Sequence, residues 1–140
     1  MVLAGFLNFY YAFIIGYQSN KSMSQAEIKN LFQRRQIQPL RGLGQNFLTN
    51  KGALKTIIEA ADIKPDEIVL EIGPGTGVLT LELAKYAKKI IALEKDVRMF
   101  EVLKEMLECR NVRNVEVIRG DISKFRISDF WFRIFKVVAN

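Results

Sequence analysis

The sequence predicts an α/β fold built on a parallel, doubly wound sheet. Short apolar runs, typical of buried parallel strands, alternate with stretches whose apolar residues recur every three or four positions. A glycine-rich turn joins the first of these runs to the helical stretch that follows it. Alternation of strand and helix along a chain is typical of sheets whose strands are parallel and joined by helical crossovers.

The composition fits a globular protein and excludes several classes of site. The chain has 140 residues, of which 49% are hydrophobic and 26% charged, and its net charge is +6. Its single cysteine, Cys109, cannot form an internal disulfide, and the absence of histidine excludes a Ser-His-Asp triad and histidine-based zinc sites. The positive charge favours an anionic partner such as nucleic acid.

The first 17 residues carry no charge. A signal peptide would begin with basic residues, and a membrane-spanning helix needs about 20 apolar residues, so both alternatives fit poorly. Translation from Met23 fits better, because Ser24 and Glu27 have the spacing of a helix capping box. We therefore expect residues 1–22 to be an apolar leader that is not native. We expect the protein to be cytoplasmic and to contact a membrane only if that leader is real.

Residues 23–48 are predicted to form a basic N-terminal helix, over 24–36, and a loop over 37–48. From Ser24 to Ala60 there are six lysines and arginines and two glutamates, which gives a local charge of +4. Such a segment suits contact with nucleic-acid phosphates, although the same charges also fit an ordinary solvated surface.

The remaining chain, residues 49–140, is predicted to alternate helices and strands. The expected elements are helix 49–61, strand 67–72, helix 76–87, strand 89–94, helix 97–109, strand 115–118 and strand 135–140. The inner faces of the second and third helices are expected to carry Leu79, Leu83, Tyr86 and Ala87, and Phe100, Leu103 and Leu107. A sheet of four such strands leaves an apolar edge unpaired, so we expect a domain truncated after its fourth strand.

The glycine-rich turn, Glu71-Ile72-Gly73-Pro74-Gly75-Thr76-Gly77, lies between a predicted strand and a predicted helix. Glycines at such a turn let the backbone approach a bound cofactor. The spacing G-x-G-x-G differs from the G-x-G-x-x-G of dinucleotide-binding proteins, which favours a nucleoside cofactor without a pyrophosphate. A purely structural turn is the alternative.

Acidic residues end the next two predicted strands. Glu94 can accept hydrogen bonds from both hydroxyls of a ribose, and Asp121 can accept one from an adenine amino group. Because the carboxyl ends of parallel strands meet at one edge, both should line the same crevice as the glycine turn. The alternative for Glu94 is an exposed carboxylate at a strand end.

These residues together resemble the S-adenosylmethionine-dependent methyltransferase fold. Within it, the chain is most similar to the ribosomal RNA adenine dimethyltransferases that modify the small-subunit RNA. The matching segments, in the family's order, are Leu43-Gly44-Gln45-Asn46-Phe47-Leu48, Glu71 to Gly77 with Leu79-Thr80, Ala92-Leu93-Glu94-Lys95-Asp96, Gly120-Asp121 and Val137-Val138-Ala139-Asn140. The resemblance runs from about Pro39 to Asn140.

The resemblance implies a Rossmann-like class I methyltransferase domain over 49–140, S-adenosylmethionine as cofactor, no metal, a monomer, and small-subunit ribosomal RNA as partner. The cofactor residues it implies are Asn46, Leu48, Gly73, Gly75, Glu94, Asp121 and Asn140. Asn140 is also the implied catalytic residue, and it opens a family motif whose other three positions would follow residue 140. We therefore expect the 140 residues alone, without that motif and the family's C-terminal helical domain, to be inactive.

Four alternatives to this function are considered. A macrolide-resistance methyltransferase would act on an adenine of large-subunit RNA with the same fold and cofactor. A relative of the mitochondrial transcription factors of this family, or an inactive remnant, would bind RNA or DNA without catalysis. An NAD oxidoreductase is disfavoured by the glycine spacing.

Overall fold

In this computed structural model, residues 25–37, 51–126, 128 and 136–139 are described. Helices and strands alternate as the sequence predicts. They are α1 (Gln25–Arg34), α2 (Lys51–Ala61), β1 (Ile68–Ile72), α3 (Val78–Leu83), β2 (Lys89–Glu94), α4 (Val97–Cys109), β3 (Val115–Arg119), a 3-10 turn (Ile122–Lys124) and β4 (Lys136–Ala139). The predicted leader, most of the predicted loop over 37–48, and Asn140 lie outside the described residues. None of the described helices has the length and apolar character needed to cross a membrane.

The sheet contains four parallel strands in the order β3-β2-β1-β4. Leu70 of β1 lies opposite Ile91 of β2 and Val137 of β4. The chain moves outward from β1 through β2 to β3 and then returns to the other side of β1. This reversal confirms the predicted doubly wound sheet, and sheets of this type bind ligands beyond the carboxyl ends of their strands, close to the reversal.

Both faces of the central strands are buried, which explains their continuous apolar runs. On one face, β1 and β2 pack against buried residues from all four helices, among them Phe32, Leu54, Leu79 and Leu103. On the other face, Leu70, Ile91 and Leu93 form a smaller cluster, against which Ile118 and Phe125 pack. The carboxyl ends of the strands are thereby held at fixed positions relative to one another.

Helix α1, shorter than the predicted 24–36, is attached to α4. Phe32 is buried in the larger core. Arg35 forms an ion pair with Glu105, and the guanidinium of the buried Arg110 lies 3.6 Å from the carboxylate of Glu27. The N-terminal helix therefore belongs to the same packed unit as the sheet.

Helix α3 is shorter than the predicted helix over 76–87. It begins after Gly77 and ends at Leu83, and residues 84–86 form a turn. The side-chain amide of Asn114 donates hydrogen bonds to the carbonyl oxygens of Ala84 and Ala87, at 2.8 and 3.1 Å. These bonds satisfy carbonyls that a longer helix would have used internally. The placement of Tyr86 on the inner face is therefore wrong, because its side chain is 48% exposed.

The limits of β2 and α4 agree with the prediction to the residue. The inner face of α4 is wider than expected, because Met99, Val102 and Met106 are buried together with Leu103 and Leu107. The predicted inward residue Phe100 is only half-buried, and its ring lies 5.5 Å from the ammonium of Lys104. Its assignment to the core-facing side of α4 is corrected accordingly.

We expect Asn114→Ala to lower the free energy of unfolding by about 1–3 kcal/mol, because two carbonyls would lose their shared donor. Denaturant unfolding of the full chain measures this change. Thr56→Ala is the matched control, since it removes an exposed side-chain hydrogen bond to Gly52 within α2 and should stay within about 0.5 kcal/mol of the wild type. Equal stabilities of the two variants would contradict a structural role for Asn114.

Candidate functional site

The glycine turn adopts a conformation that favours glycine. Gly73, Gly75 and Gly77 have φ angles of 67°, 56° and 78°, in the left-handed region that side chains with a Cβ rarely adopt. Gly77 caps α3, and its amide donates to the carbonyl of Pro74 at 2.9 Å. The turn is therefore a tight connection from β1 into α3, as the motif predicts.

Two of the glycines have different surroundings. A Cβ on Gly73 would meet no heavy atom within 4 Å, whereas a Cβ on Gly77 would lie 2.4 Å from Cε of Met106 and 2.5 Å from Cδ1 of Leu103. Gly77 thus lets α4 pack closely on the turn, a role in packing that the sequence analysis did not assign. Gly73 borders open space, which is what a ligand approaching the backbone requires.

Glu94 is buried at the end of β2, with 6% of its surface exposed. One carboxylate oxygen, Oε2, accepts a hydrogen bond from the amide of Gly75 at 3.0 Å, and the other, Oε1, accepts one from the amide of Asp96 at 2.8 Å. The alternative of an exposed carboxylate at a strand end is therefore wrong. The structure brings Glu94 into direct contact with the predicted glycine turn.

Asp121 follows β3 and lies beside the end of β2, because the amide of Gly120 donates to the backbone carbonyl of Glu94 at 2.9 Å. Its Oδ1 accepts hydrogen bonds from the amide and hydroxyl of Ser123, and its Oδ2 lies 2.6 Å from the ammonium of Lys95. These hydrogen bonds hold the pKa of Asp121 well below its usual range, and the bond from Lys95 has a larger effect than those from Ser123. Asp121 therefore stays ionised and acts only as an acceptor.

Glu71 is a buried acid to which the sequence analysis gave no role. It is 1% exposed, and neither its Oε2 nor Oγ1 of Thr80 has a hydrogen-bond partner among the described residues. Burial raises the pKa of Glu71 to about 7, the negative charge of Glu94 adds to the rise, and the nearby Thr80 hydroxyl partly offsets it. The sequence contains one signal that could have predicted this buried acid, because Glu71 is a single charged residue within the otherwise apolar strand β1.

Two exposed apolar side chains each follow an acidic residue in the sequence, Val97 after Asp96 and Ile122 after Asp121. Val97 begins α4 and Ile122 begins the 3-10 turn, and they are 49% and 41% exposed. Ligand sites are lined mainly by apolar residues with a few polar groups among them. Neither residue could be predicted from the sequence, because single exposed apolar residues give no periodic signal.

The arrangement combines open backbone at Gly73 with three acids at the carboxyl ends of neighbouring strands. Of the predicted cofactor residues, Gly73, Gly75, Glu94 and Asp121 lie at this edge. Asn46, Leu48 and Asn140 lie outside the described residues, so their roles stay predictions. Such a site can accept hydrogen bonds from sugar hydroxyls and amino groups, and it favours ligands that carry positive charge.

Comparison with known proteins identifies related sequences. The family model for ribosomal RNA adenine dimethylase matches residues 39–140. The chain is 41% identical over 111 residues to the ribosomal RNA small subunit methyltransferase A of Natranaerobius thermophilus, covering 76% of this chain and 36% of that protein.

Two solved structures are also similar. A dimethyladenosine transferase from Plasmodium falciparum has 41% sequence identity and a TM-score of 0.58, covering 65% of this chain and 32% of that one. The 23S rRNA methyltransferase ErmE has 39% identity and a TM-score of 0.53, covering 57% and 32%. The chain spans only about a third of the length of these relatives. The match to the family model over most of the chain shows that it belongs to the ribosomal RNA adenine dimethylase family.

Proposed function

We propose that the protein is an S-adenosylmethionine-dependent methyltransferase that methylates, and in our interpretation dimethylates, the exocyclic amine of an adenine in small-subunit ribosomal RNA. The observation that carries this proposal is the buried Glu94 bound to the glycine turn, in a chain of the adenine dimethylase family. Because the chain spans about a third of its relatives, the activity is proposed for the protein that carries this domain.

The residues at the strand ends fit this cofactor. Gly73 borders open space, and each carboxylate oxygen of Glu94 keeps one free acceptor position for a ribose hydroxyl after its bond to the backbone. Asn46 and Leu48 are proposed as further contacts on the strength of the family resemblance.

Asp121 would accept a hydrogen bond from the cofactor's adenine amino group. Its Oδ1 already accepts two bonds from Ser123, so the amino group would share Oδ2 with Lys95. Lys95 is 76% exposed and can move aside at little cost. We therefore place the adenine end of the cofactor near β3 and the sugar near β2.

S-adenosylmethionine, when bound, supplies a methyl group on a positively charged sulfur, whose departure as a neutral thioether requires little help from the protein. The chain's task is then to position the target amine. Asn140 follows β4, which neighbours β1, and its side-chain oxygen would accept a hydrogen bond from the target N–H. This bond would hold the amine in line and favour its lone pair as the nucleophile. As the N–C bond forms and the C–S bond breaks, the amine's surplus proton would be released to solvent.

The basic N-terminal segment would contact RNA phosphates. Lys29, Arg34, Lys51 and Lys55 are exposed on α1 and α2. Contacts of this kind make binding depend on salt. We also propose a cytoplasmic protein that is monomeric, as the family resemblance implies.

Transfer of a labelled methyl group to purified ribosomal subunits tests the proposal. The protein, expressed with its complete reading frame, is incubated with methyl-labelled cofactor and with small or large subunits that lack adenine dimethylation. We expect label in the small-subunit RNA, recovered as dimethyladenosine, and at least a hundredfold loss of rate in Asn140→Ala. Label in the large subunit would instead support the macrolide-resistance alternative, which the 39% identity to a 23S rRNA methyltransferase favours. Cofactor binding without transfer would indicate a binding relative.

A further inference from the structure

Glu94 connects three segments of the site. Its Oε2 accepts from the amide of Gly75 in the turn after β1, and its Oε1 accepts from the amide of Asp96, which caps α4. The backbone of the turn is also bonded to β2, because the amide of Gly73 donates to the carbonyl of Leu93 at 2.9 Å. The side chain and main chain of β2 thus fix the turn at two points.

The turn needs such an anchor. Its three glycines have positive φ angles, and glycine populates many other conformations at low cost. A turn that samples several conformations binds its ligand more weakly, in proportion to the fraction of time spent in the competent one. The bond from Gly75 to the carboxylate restricts this sampling.

The anchoring bonds leave the carboxylate able to bind a ligand as well. A carboxylate offers about four acceptor positions, and the backbone amides occupy one on each oxygen. The two remaining positions suffice for two hydroxyls. Because the amide bonds form within the protein itself, the turn is already ordered before any ligand arrives, which lowers the cost of binding.

We propose that Glu94 is a positioning residue, which holds the glycine turn in its ligand-accepting conformation independently of any bond that it makes to ribose. The inference rests on the proposed function for the class of ligand, a nucleoside sulfonium and its thioether product. The inference goes beyond the proposed function, because it states that the Glu94 carboxylate also strengthens the binding of parts of the ligand that the carboxylate does not contact.

The test compares two ligands on one variant by titration calorimetry, at a temperature where every protein is fully folded. The ligands are S-adenosylhomocysteine and its 2′,3′-dideoxy analogue, which lacks both ribose hydroxyls. In Glu94→Gln, an amide nitrogen replaces one oxygen, so only one of the two backbone amides keeps an acceptor. We expect both ligands to bind at least fivefold more weakly to this variant than to the wild type.

An unchanged affinity for the dideoxy analogue, within twofold, would overturn the positioning role, because it would confine Glu94 to the hydroxyls. Glu116→Gln is the matched control. Glu116 lies on β3 and pairs with Lys89 at 2.6 Å, away from the turn, and both ligands should bind this variant as they bind the wild type.

Hydrogen exchange of the ligand-free protein gives a second readout. Glu94→Ala removes both acceptors, so in this variant we expect the Gly75 amide to exchange at least tenfold faster, beyond any change at the core amides of Leu70 and Ile91, which report global unfolding. If Glu94→Ala does not fold, Glu94→Asp retains the charge with a shorter reach and should show the same pattern. Failure of the wild type to bind either ligand would refute the proposed function, and the exchange of Gly75 would then decide the positioning role alone.

Discussion

Gly77→Ala is expected to lower the free energy of unfolding by about 2–5 kcal/mol. The φ angle of 78° costs a residue with a Cβ about 1–2 kcal/mol. In addition, the new Cβ would lie within 2.5 Å of side-chain atoms of Met106 and Leu103, which are buried and must repack at a cost of about 1–3 kcal/mol. Denaturant unfolding of the full chain measures the loss.

Gly73→Ala separates these two contributions. Its φ angle of 67° imposes a similar strain, but no heavy atom lies within 4 Å of the added Cβ. We expect it to cost about 1–2 kcal/mol of stability. Because its Cβ would project into the open space assigned to the cofactor, it should also weaken the binding of S-adenosylhomocysteine. A loss for Gly77→Ala no larger than that for Gly73→Ala would show that α4 does not pack tightly on the turn.

The sequence predicted elements well where the signal is local. Strand β2 is a continuous apolar run, and α4 has an amphipathic pattern that begins after the capping residue Asp96, so the limits of both elements agree with the prediction. Helix α3 was predicted too long, because its end depends on Asn114, which lies 30 residues beyond Ala84. A contact of that kind leaves no trace in the local pattern.

The same distinction applies to the site. The order of the glycine turn, Glu94 and Asp121 along the chain was enough to predict that they meet at one edge of the sheet. The burial of Glu94 and its bond to Gly75, 19 residues away, depend on how β1 and β2 pair, so the sequence left an exposed carboxylate as an alternative. The elevated pKa of Glu71 likewise arises from packing between β1 and α3.

Glu71 should make the protein less stable as the pH rises from about 4.5 to 7. Its pKa in the folded state is about 7, above the ordinary value of 4.5, so the folded protein retains a proton that the unfolded chain releases over this interval. Stability therefore declines with rising pH across the interval and remains lower above it. The difference between the folded-state pKa of Glu71 and its ordinary value corresponds to about 3 kcal/mol of stability.

We expect Glu71→Gln to remove most of this decline. The amide has nearly the shape of the protonated acid and cannot ionise, so the variant should be more stable than the wild type above pH 7 and close to it near pH 4.5. Urea unfolding at pH 5, 6, 7 and 8 measures the difference, which should approach about 3 kcal/mol at pH 8. Glu101→Gln is the control, because Glu101 is exposed on α4 and its replacement should leave the pH profile unchanged.

Removing the charge of Glu94 gives an independent test of what raises the pKa of Glu71. Because that charge contributes to the raised pKa of Glu71, Glu94→Gln should make the decline in stability smaller and end it at a lower pH, without abolishing it. Burial, the larger cause, would remain. Identical pH profiles for the wild type and Glu71→Gln would show that Glu71 is ionised in the folded protein throughout this range, and hence that water or another donor reaches the carboxylate between β1 and α3.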